Sequence, residues 1–346
     1  MKRRTKIICT IGPATASFDG LKALYEAGMN IVRINMSHSD HASALKIINW
    51  IKTLNRQVDY PIPILLDTQG PEIRTGVLDN PMELNPGDVV TLSVRDGELV
   101  EQRSIHVNYT ELVDVVEVGR IITVDNGLMN FKVLQKKDRQ LTCEVIDGGT
   151  LGSRKHVNLP GVRVNLPAIT AKDRADIAFG MANDVDFIAL SFVRSPDDIK
   201  ELREFLGKKQ QSIKVVAKIE DQEGVNKIHE IVAVSDGVMV ARGDLGIETD
   251  IADLPNIQRR IVHACAKKGK RCIVATHLLE SMIDNPIPTR AEVTDVANAI
   301  YEGVDSVMLS GETSVGSYPQ RCVEQLSNIA DRTERFPGLG LSLIHI

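Results

Sequence analysis

The sequence predicts an α/β protein, a (β/α)8 TIM barrel with a small β domain inserted after its third strand. Eight short runs of strand-forming residues recur along the 346 residues. Most are followed by segments with the apolar spacing of helices, and one long interval between the third and fourth runs has β character instead. Strand–helix alternation indicates a parallel sheet, and eight strands are the number that closes this barrel.

Each predicted strand is a mostly continuous apolar run, which is typical of strands buried on both faces. Between them lie helical patterns, such as Ile199, Leu202 and Leu206. The eight predicted strands are residues 5–12, 29–37, 62–68, 186–192, 213–220, 236–242, 271–277 and 305–311.

The interval 71–167 is predicted to form the inserted domain, since β runs there alternate with the turn sequences NPGD, RDGE and DNG. The barrel then comprises residues 1–70 and 168–335. Loops that follow barrel strands emerge at the catalytic face, so we expect the insertion to act as a lid. A passive insertion is the alternative. Residues 336–346 are interpreted as an artefactual or disordered tail, or an ordinary frayed terminus.

Composition excludes several classes of function. Acidic residues outnumber basic ones, 46 to 41, which argues against nucleic acid as a partner. No apolar run approaches the ~20 residues of a membrane helix. Five cysteines without a CxxC pair predict free thiols and a cytoplasmic location. Walker A, GxGxxG, HExxH and zinc-ligand spacings are absent from the sequence.

Polar residues gather where the predicted strands end, which is where this fold places its functional residues. One polar strand end is explained by a helix cap, but six together predict a site. They are Arg33, Asn35, Ser37 and His38 after the second strand, Asp67, Thr68, Glu72 and Arg74 after the third, Lys218 and Glu220 on the fifth, Arg242, Gly243 and Asp244 after the sixth, Thr276 and His277 after the seventh, and Ser310 and Glu312 after the eighth.

Lys218 and Glu220 lie two residues apart, so both side chains face the same side of their strand. A plain ion pair is one interpretation. The other adds a divalent cation bound by Glu220 and Asp244, because magnesium suits few carboxylates plus substrate phosphate oxygens. Arg33, Arg74 and Lys218 then supply positive charge for a phosphate.

Two further features have the chemistry of binding sites. Gly243 allows backbone N–H groups to approach an anion such as a carboxylate. The oxygen-rich set Asn35, Ser37, Asp67 and Thr68 has donors that suit a hard monovalent cation, although the residues alone leave a purely structural role open.

Long motifs, in order from residue 5 to about residue 330, resemble the pyruvate kinase family. The resemblance implies the family's barrel with its inserted lid. It also implies a phosphotransferase that moves the phosphoryl group of phosphoenolpyruvate to ADP, giving pyruvate and ATP in the last step of glycolysis, with Mg²⁺ (or Mn²⁺) and K⁺ as cofactors. The motifs include CTIGPA (9–14), MNIVRINMSH (29–38), KHVNLPGV (155–162), DFIALSFVRS (186–195), AKIEDQEG (217–224), DGVMVARGDLG (236–246) and MLSGET (308–313).

The resemblance also implies a role for each matching residue. Lys218 stabilises the transferring phosphoryl group, and Glu72 is the residue type associated with potassium dependence. Thr276 and Ser310 relay a proton to the enolate through water. The implied binding sets are Arg33, Lys218, Gly243, Asp244 and Thr276 for phosphoenolpyruvate, Asn35, His38, Arg74 and Lys155 for the nucleotide, Glu220 and Asp244 for magnesium, and Asn35, Ser37, Asp67 and Thr68 for potassium.

The chain departs from the family's motifs without losing an implied metal or phosphate ligand, so we expect the chemistry to survive with altered kinetics. The departures are Gln69 for lysine, Met36 and Ser39 within the familiar NFSHG, His156 for glycine and His277 for glutamine. Nothing in the sequence matches the family's C-terminal effector domain, so we do not expect allosteric activation. We expect a homo-oligomer formed through the barrel.

Two other functions stay open from the sequence. A magnesium-dependent lyase or aldolase acting on a pyruvate enolate needs similar residues at its strand ends. An inactive fragment that binds ligands without turnover is the non-enzymatic alternative. The lid, Lys155 and Lys218 favour the kinase, because they serve a nucleotide and a transferred phosphate.

Overall fold

The computed structural model describes residues 3–94, 103–125, 127–162 and 164–336. The chain begins with three barrel strands and the helices between them. Side-chain caps start these helices, since Ser17 accepts from Gly20 N and Asp40 from Ser43 N. The elements are β1 (Lys6–Thr10), α1 (Phe18–Ala27), β2 (Ile31–Asn35), α2 (His41–Leu54) and β3 (Ile64–Asp67).

In the interval after β3, the described regular elements are eight strands and one short helix. Six of the strands form one sheet in the order β11-β7-β8-β9-β5-β6, and two form a small ribbon. The sheet encloses its own apolar core around the fully buried Phe131. The elements are β4 (Met82–Leu84), β5 (Val89–Ser93), β6 (Ser104–His106), α3 (Leu112–Val115), β7 (Ile121–Val124), β8 (Met129–Lys137), β9 (Gln140–Asp147), β10 (Gly149–Leu151) and β11 (Val157–Asn158).

The chain then returns to the barrel and completes it. Helix α4 begins with a capping box between Thr170 and Asp173. The elements are α4 (Ala171–Ala182), β12 (Phe187–Leu190), α5 (Pro196–Leu206), β13 (Lys214–Ile219), α6 (Gln222–Asn226), α7 (Ile228–Val234), β14 (Gly237–Ala241), α8 (Arg242–Glu248), α9 (Leu254–Lys268), β15 (Arg271–Ala275), α10 (Arg290–Tyr301), β16 (Ser306–Leu309), α11 (Gly311–Ser314) and α12 (Pro319–Arg335).

The eight parallel strands β1, β2, β3, β12, β13, β14, β15 and β16 close into a ring, with β16 paired to β1. This confirms the predicted barrel and its inserted β structure. Leu66 and Ala168 pack in the core of the barrel, whereas Ile73 and Leu166 pack in the core of the insertion. The chain therefore passes between the two cores in the segments 66–73 and 166–168. The division at residues 71 and 167 stays a prediction. The predicted RDGE turn and residues 337–346 of the predicted tail lie outside the described residues.

The inward side of the barrel changes from apolar to polar along the strands. Because side chains alternate, residues two apart share a face. Two residues beyond the apolar positions 65, 216 and 308 therefore come Asp67, Lys218 and Ser310 on the same inward side. The apolar interior cluster consists of Ile8, Leu65, Ala189, Val216, Met239, Ile273, Ala275 and Met308.

A search of the described helices finds no segment with both the length and the apolar character needed to cross a membrane.

Candidate active site

A small polar cavity of about 160 Å³ lies at the carboxyl ends of the barrel strands. It brings together most of the charged residues that the sequence predicts for the site. Its lining is Arg33, Asn35, Ser37, His38, Gln69, Glu72, Phe192, Lys218, Glu220 and Asp244. A larger cavity of about 320 Å³ between the barrel and the insertion is lined by none of Arg33, Lys218 and Asp244, so we place the chemistry in the smaller one.

The ammonium group of Lys218 is the centre of this charge cluster. Its Nζ lies 2.9 Å from Glu220 Oε1, 3.2 Å from Asp67 Oδ1 and 2.7 Å from the Ser191 hydroxyl. Burial acts to lower the pKa of Lys218, but the charges of Asp67 and Glu220 raise it above its ordinary value. Lys218 is therefore a permanently charged group held at a fixed point inside the barrel.

A second cation, Arg33, reaches the same carboxylate from β2. Its Nε donates to Asp67 Oδ2 at 2.6 Å, and its Nη1 donates to the Thr10 hydroxyl at 2.9 Å. Asp67 is fully buried, and burial opposes its ionisation, but Lys218 and Arg33 hold its pKa below the ordinary value. Asp67 therefore fixes both cations at the floor of the cavity.

Glu220 and Asp244 are two buried carboxylates, and the nearby positive charge does not fully compensate their burial. Glu220 Oε2 accepts from Phe192 N at 2.6 Å. Burial, and the nearby charge of Asp244, raise the pKa of Glu220 to about 7 despite Lys218. Burial likewise raises the pKa of Asp244. A divalent cation relieves this cost, so the pair fits magnesium.

No cluster of three or more His, Cys, Asp or Glu side chains suited to a metal occurs in the described part of the chain. Magnesium sites commonly use one or two carboxylates and take their other ligands from water and substrate.

The predicted potassium set is assembled by the pairing of β2 with β3. Asn35 is in register with Asp67, and Met36 N donates to Asp67 O at 2.9 Å. Asn35 Oδ1 accepts from Ser37 N at 3.1 Å. Asp67 Oδ1 is buried, and its partner among the described residues is the Lys218 ammonium at 3.2 Å. A carboxylate oxygen beside amide and hydroxyl oxygens has the chemistry to bind a hard cation.

Thr276 and Gly243 meet at the ends of β14 and β15. Gly243 N donates to Thr276 Oγ1 at 2.7 Å, and that hydroxyl donates to Ala275 O at 2.6 Å. Thr276 has a φ of 68°, which is rare for a β-branched residue and strains the backbone. Ser310 Oγ is buried and lacks a hydrogen-bond partner among the described residues. The hydroxyl groups of Thr276 and Ser310 lie just after β15 and β16, and neither lines the charged cavity.

The insertion contributes residues whose contacts are mostly internal. Lys155 Nζ pairs with Asp125 at 2.7 Å. Arg74 Nε donates to Glu72 Oε2 at 2.6 Å, so Arg74 reaches the cavity wall through Glu72. His156 approaches Asp244 Oδ1 at 4.0 Å, and burial lowers the pKa of its imidazole.

Two residues of the site escaped the sequence interpretation. Ser191 follows β12, donates to Thr68 O at 2.7 Å and accepts from Lys218. Phe192, at a φ of 52°, turns its N–H to Glu220. The available signal was Ser191 itself, one hydroxyl two residues beyond inward-facing Ala189 in an otherwise apolar run.

Comparisons with known proteins agree with this geometry. A family profile described as pyruvate kinase, barrel domain, matches residues 2–323. The chain is 48% identical over 339 residues to a pyruvate kinase of Geobacillus stearothermophilus, covering 97% of this chain and 58% of that protein.

It is also 46% identical over 335 residues to plastidial pyruvate kinase 2 of Arabidopsis thaliana, covering 96% of this chain and 58% of the relative. It is 46% identical over 335 residues to a pyruvate kinase of Staphylococcus aureus, covering 96% of this chain and 57% of that protein. The chain thus spans just under three fifths of the length of these relatives. Profile, relatives and strand-end charges agree that the chain belongs to the pyruvate kinase family.

Proposed function

We propose that the chain catalyses the transfer of the phosphoryl group from phosphoenolpyruvate to ADP, giving pyruvate and ATP. The observation that carries the proposal is the buried Lys218 ammonium, which stands beside the Glu220–Asp244 carboxylate pair in one polar cavity. Phosphoryl transfer depends mainly on positioning and charge neutralisation around a loose transition state. A fixed cation next to a site for a divalent metal supplies both.

In the first half-reaction, an oxygen of the ADP β-phosphate attacks phosphorus, and the bond between phosphorus and the enol oxygen breaks. Lys218 neutralises charge on the migrating group, and Arg33 holds the phosphate from β2. Glu220 and Asp244 would hold magnesium (or manganese), which would supply further charge neutralisation at the phosphate oxygens. Asp67 holds the side chains of Arg33 and Lys218 in place.

In the second half-reaction, the enolate carbon takes up a proton. We assign the substrate carboxylate to Gly243 N–H and the Thr276 hydroxyl, which here donate to Thr276 Oγ1 and Ala275 O and would exchange these bonds for bonds to the carboxylate. We assign Thr276 and Ser310 to the proton relay, because Ser310 Oγ is a buried hydroxyl without a partner among the described residues. Asn35, His38, Arg74 and Lys155 are proposed to contact the nucleotide.

Potassium is proposed to bind at Asn35, Ser37, Asp67 and Thr68, with Glu72 nearby. The register of Asn35 with Asp67, which brings a carboxylate beside an amide oxygen, supports this site. A location in the cytoplasm, self-association through the barrel, and a lid role for residues 71–167 belong to the same proposal.

A coupled assay of pyruvate formation from phosphoenolpyruvate, with and without ADP, tests the activity. We expect turnover that requires ADP and a divalent cation. Pyruvate formation that is independent of ADP contradicts a kinase and indicates a lyase-type or hydrolytic reaction. Magnesium-dependent binding of ADP without turnover indicates a binding protein instead.

A further inference from the structure

The turn after β2 is tied to helix α4 by a side chain that the proposed mechanism does not use. Lys172 Nζ donates to the backbone carbonyl of Met36 at 2.7 Å and to Asp176 Oδ2 at 2.7 Å. Met36 is fully buried and stands between Asn35 and Ser37, two of the proposed potassium ligands. Lys172 therefore contacts the backbone between two proposed potassium ligands without being a ligand itself.

The contact fixes the orientation of one peptide group. In a trans peptide the C=O and the N–H point in opposite directions. The carbonyl of Met36 points to Lys172, so the N–H of the same peptide, which belongs to Ser37, points the other way. It donates to Asn35 Oδ1 at 3.1 Å. Holding the Met36 carbonyl thus sets the side chain of Asn35 and the position of Ser37 together.

The ammonium group is itself anchored. Asp176 is buried, and its second oxygen lies 2.8 Å from His41 Nε2. The His41 ring stacks on Phe179 with 4.5 Å between ring centroids. These contacts limit the positions that Lys172 can adopt, although about half of its side chain is exposed.

The same turn of α4 also holds the other half of the potassium set. Asp173, adjacent to Lys172, accepts from Gly70 N at 3.0 Å. Gly70 follows Asp67 and Thr68 by two to three residues and has a φ of 77°. The first turn of α4 therefore contacts both loops that supply the proposed ligands.

We propose that Lys172 is a positioning residue for the potassium site, acting through the Met36–Ser37 peptide. This inference rests on the proposed function. Outer contacts of this kind typically change metal affinity by 10–100-fold.

The test compares the unaltered chain with Lys172→Met, Lys172→Arg and the control Lys200→Met, which removes an exposed lysine paired with Asp197 on α5. The first readout is the K⁺ concentration for half-maximal pyruvate formation. The second is the shift in melting temperature caused by KCl relative to tetramethylammonium chloride at equal ionic strength, measured without substrates.

We expect Lys172→Met to raise the half-activating K⁺ concentration by about tenfold or more, with turnover at saturating K⁺ within about threefold of the unaltered chain. The K⁺-specific thermal shift is lost in this variant, partly retained in Lys172→Arg and unchanged in Lys200→Met. Equal K⁺ responses in Lys172→Met and the unaltered chain overturn the inference alone. A lack of any K⁺ response in the unaltered chain, in both readouts, overturns the potassium site as well.

If Lys172→Met does not fold, Lys172→Arg and Asp176→Asn carry the test. Asp176→Asn keeps the shape of the anchor but removes its charge, so it is expected to raise the half-activating K⁺ concentration in the same direction. An unchanged K⁺ response in both variants overturns the inference.

Discussion

Lys218 on β13 and Glu220 just after this strand form an ion pair, with Lys218 Nζ 2.9 Å from Glu220 Oε1 inside the barrel. Asp67 Oδ1 lies 3.2 Å from the same ammonium group, and Asp67 Oδ2 pairs with Arg33. Two cations therefore balance two buried carboxylates, and the second oxygen of Glu220 is fixed by Phe192 N. The same contacts therefore neutralise the charges of these side chains and fix their positions.

Replacing Lys218 by methionine is expected to lower turnover by roughly 10²–10³, by analogy with loss of one transition-state donor. The measurement is steady-state pyruvate formation with saturating phosphoenolpyruvate and ADP. The matched control is Lys214→Met, which removes an exposed lysine from the start of the same strand.

Lys218→Met also leaves the buried Glu220 carboxylate without its cation, while Asp67 keeps Arg33, so folding of the variant must be checked by circular dichroism and thermal melting. A folded variant with turnover within about threefold of the unaltered chain contradicts the role of Lys218.

Asp244→Asn is expected to raise the magnesium concentration for half-maximal activity by about tenfold or more. Without metal, the same change is expected to leave the melting temperature unchanged or raise it, since it removes one of two repelling carboxylates. Asp253→Asn, on an exposed residue beyond α8, is the control. An unchanged magnesium requirement, or a large loss of stability without metal, argues that Asp244 is structural rather than a metal ligand.

The barrel was predictable because its signal is local and repeated. Continuous apolar runs and polar strand ends identified all eight strands, including β13, which carries Lys218 and is followed by Glu220. The strand order makes β2 and β3 neighbours, and their observed register places Asn35 beside Asp67. For these residues, the alternation of side chains along a strand and the parallel pairing of strands are enough to predict on which side of the sheet each side chain lies.

What the sequence did not predict depends on backbone conformation or on distant contacts. Phe192 binds Glu220 through its N–H only because its φ is positive, which nothing in its residue type indicates. Lys172 reaches Met36 across 136 positions of sequence, and a lysine in an exposed helical turn normally reads as solvated surface. Lys155 shows the converse, since its motif predicts a phosphate contact while its Nζ pairs with Asp125.

Replacing K⁺ by tetramethylammonium at constant ionic strength is expected to lower activity several-fold. Screening is the same in both salts, so a difference reports coordination rather than bulk ionic strength. The organic cation cannot be ligated by Asp67, because that carboxylate is fully buried and the methyl groups keep oxygen ligands away from the charged nitrogen. Equal rates in the two salts remove the potassium assignment.

Glu292→Gln is expected to destabilise the fold by about 1 kcal/mol at pH 7, a value reduced for partial solvent exposure. The Glu292 carboxylate accepts from Ser281 N, Thr289 N and both of their hydroxyls, joining the start of α10 to the loop after β15. Burial acts to raise the pKa of Glu292, but these hydrogen bonds lower it below its ordinary value.

The sign of the pH dependence follows from that direction. A carboxyl with a lowered pKa in the folded state contributes stability above its unfolded pKa of about 4.3, and the contribution is lost as pH falls through the lower folded value. Urea unfolding of the unaltered chain and of Glu292→Gln should therefore differ at pH 7 and converge towards pH 4 and below. Glu204→Gln, at an exposed position on α5, serves as the control and should show little difference at either pH. A difference between Glu292→Gln and the unaltered chain that stays constant across this range assigns the effect to lost packing rather than to the charge of Glu292.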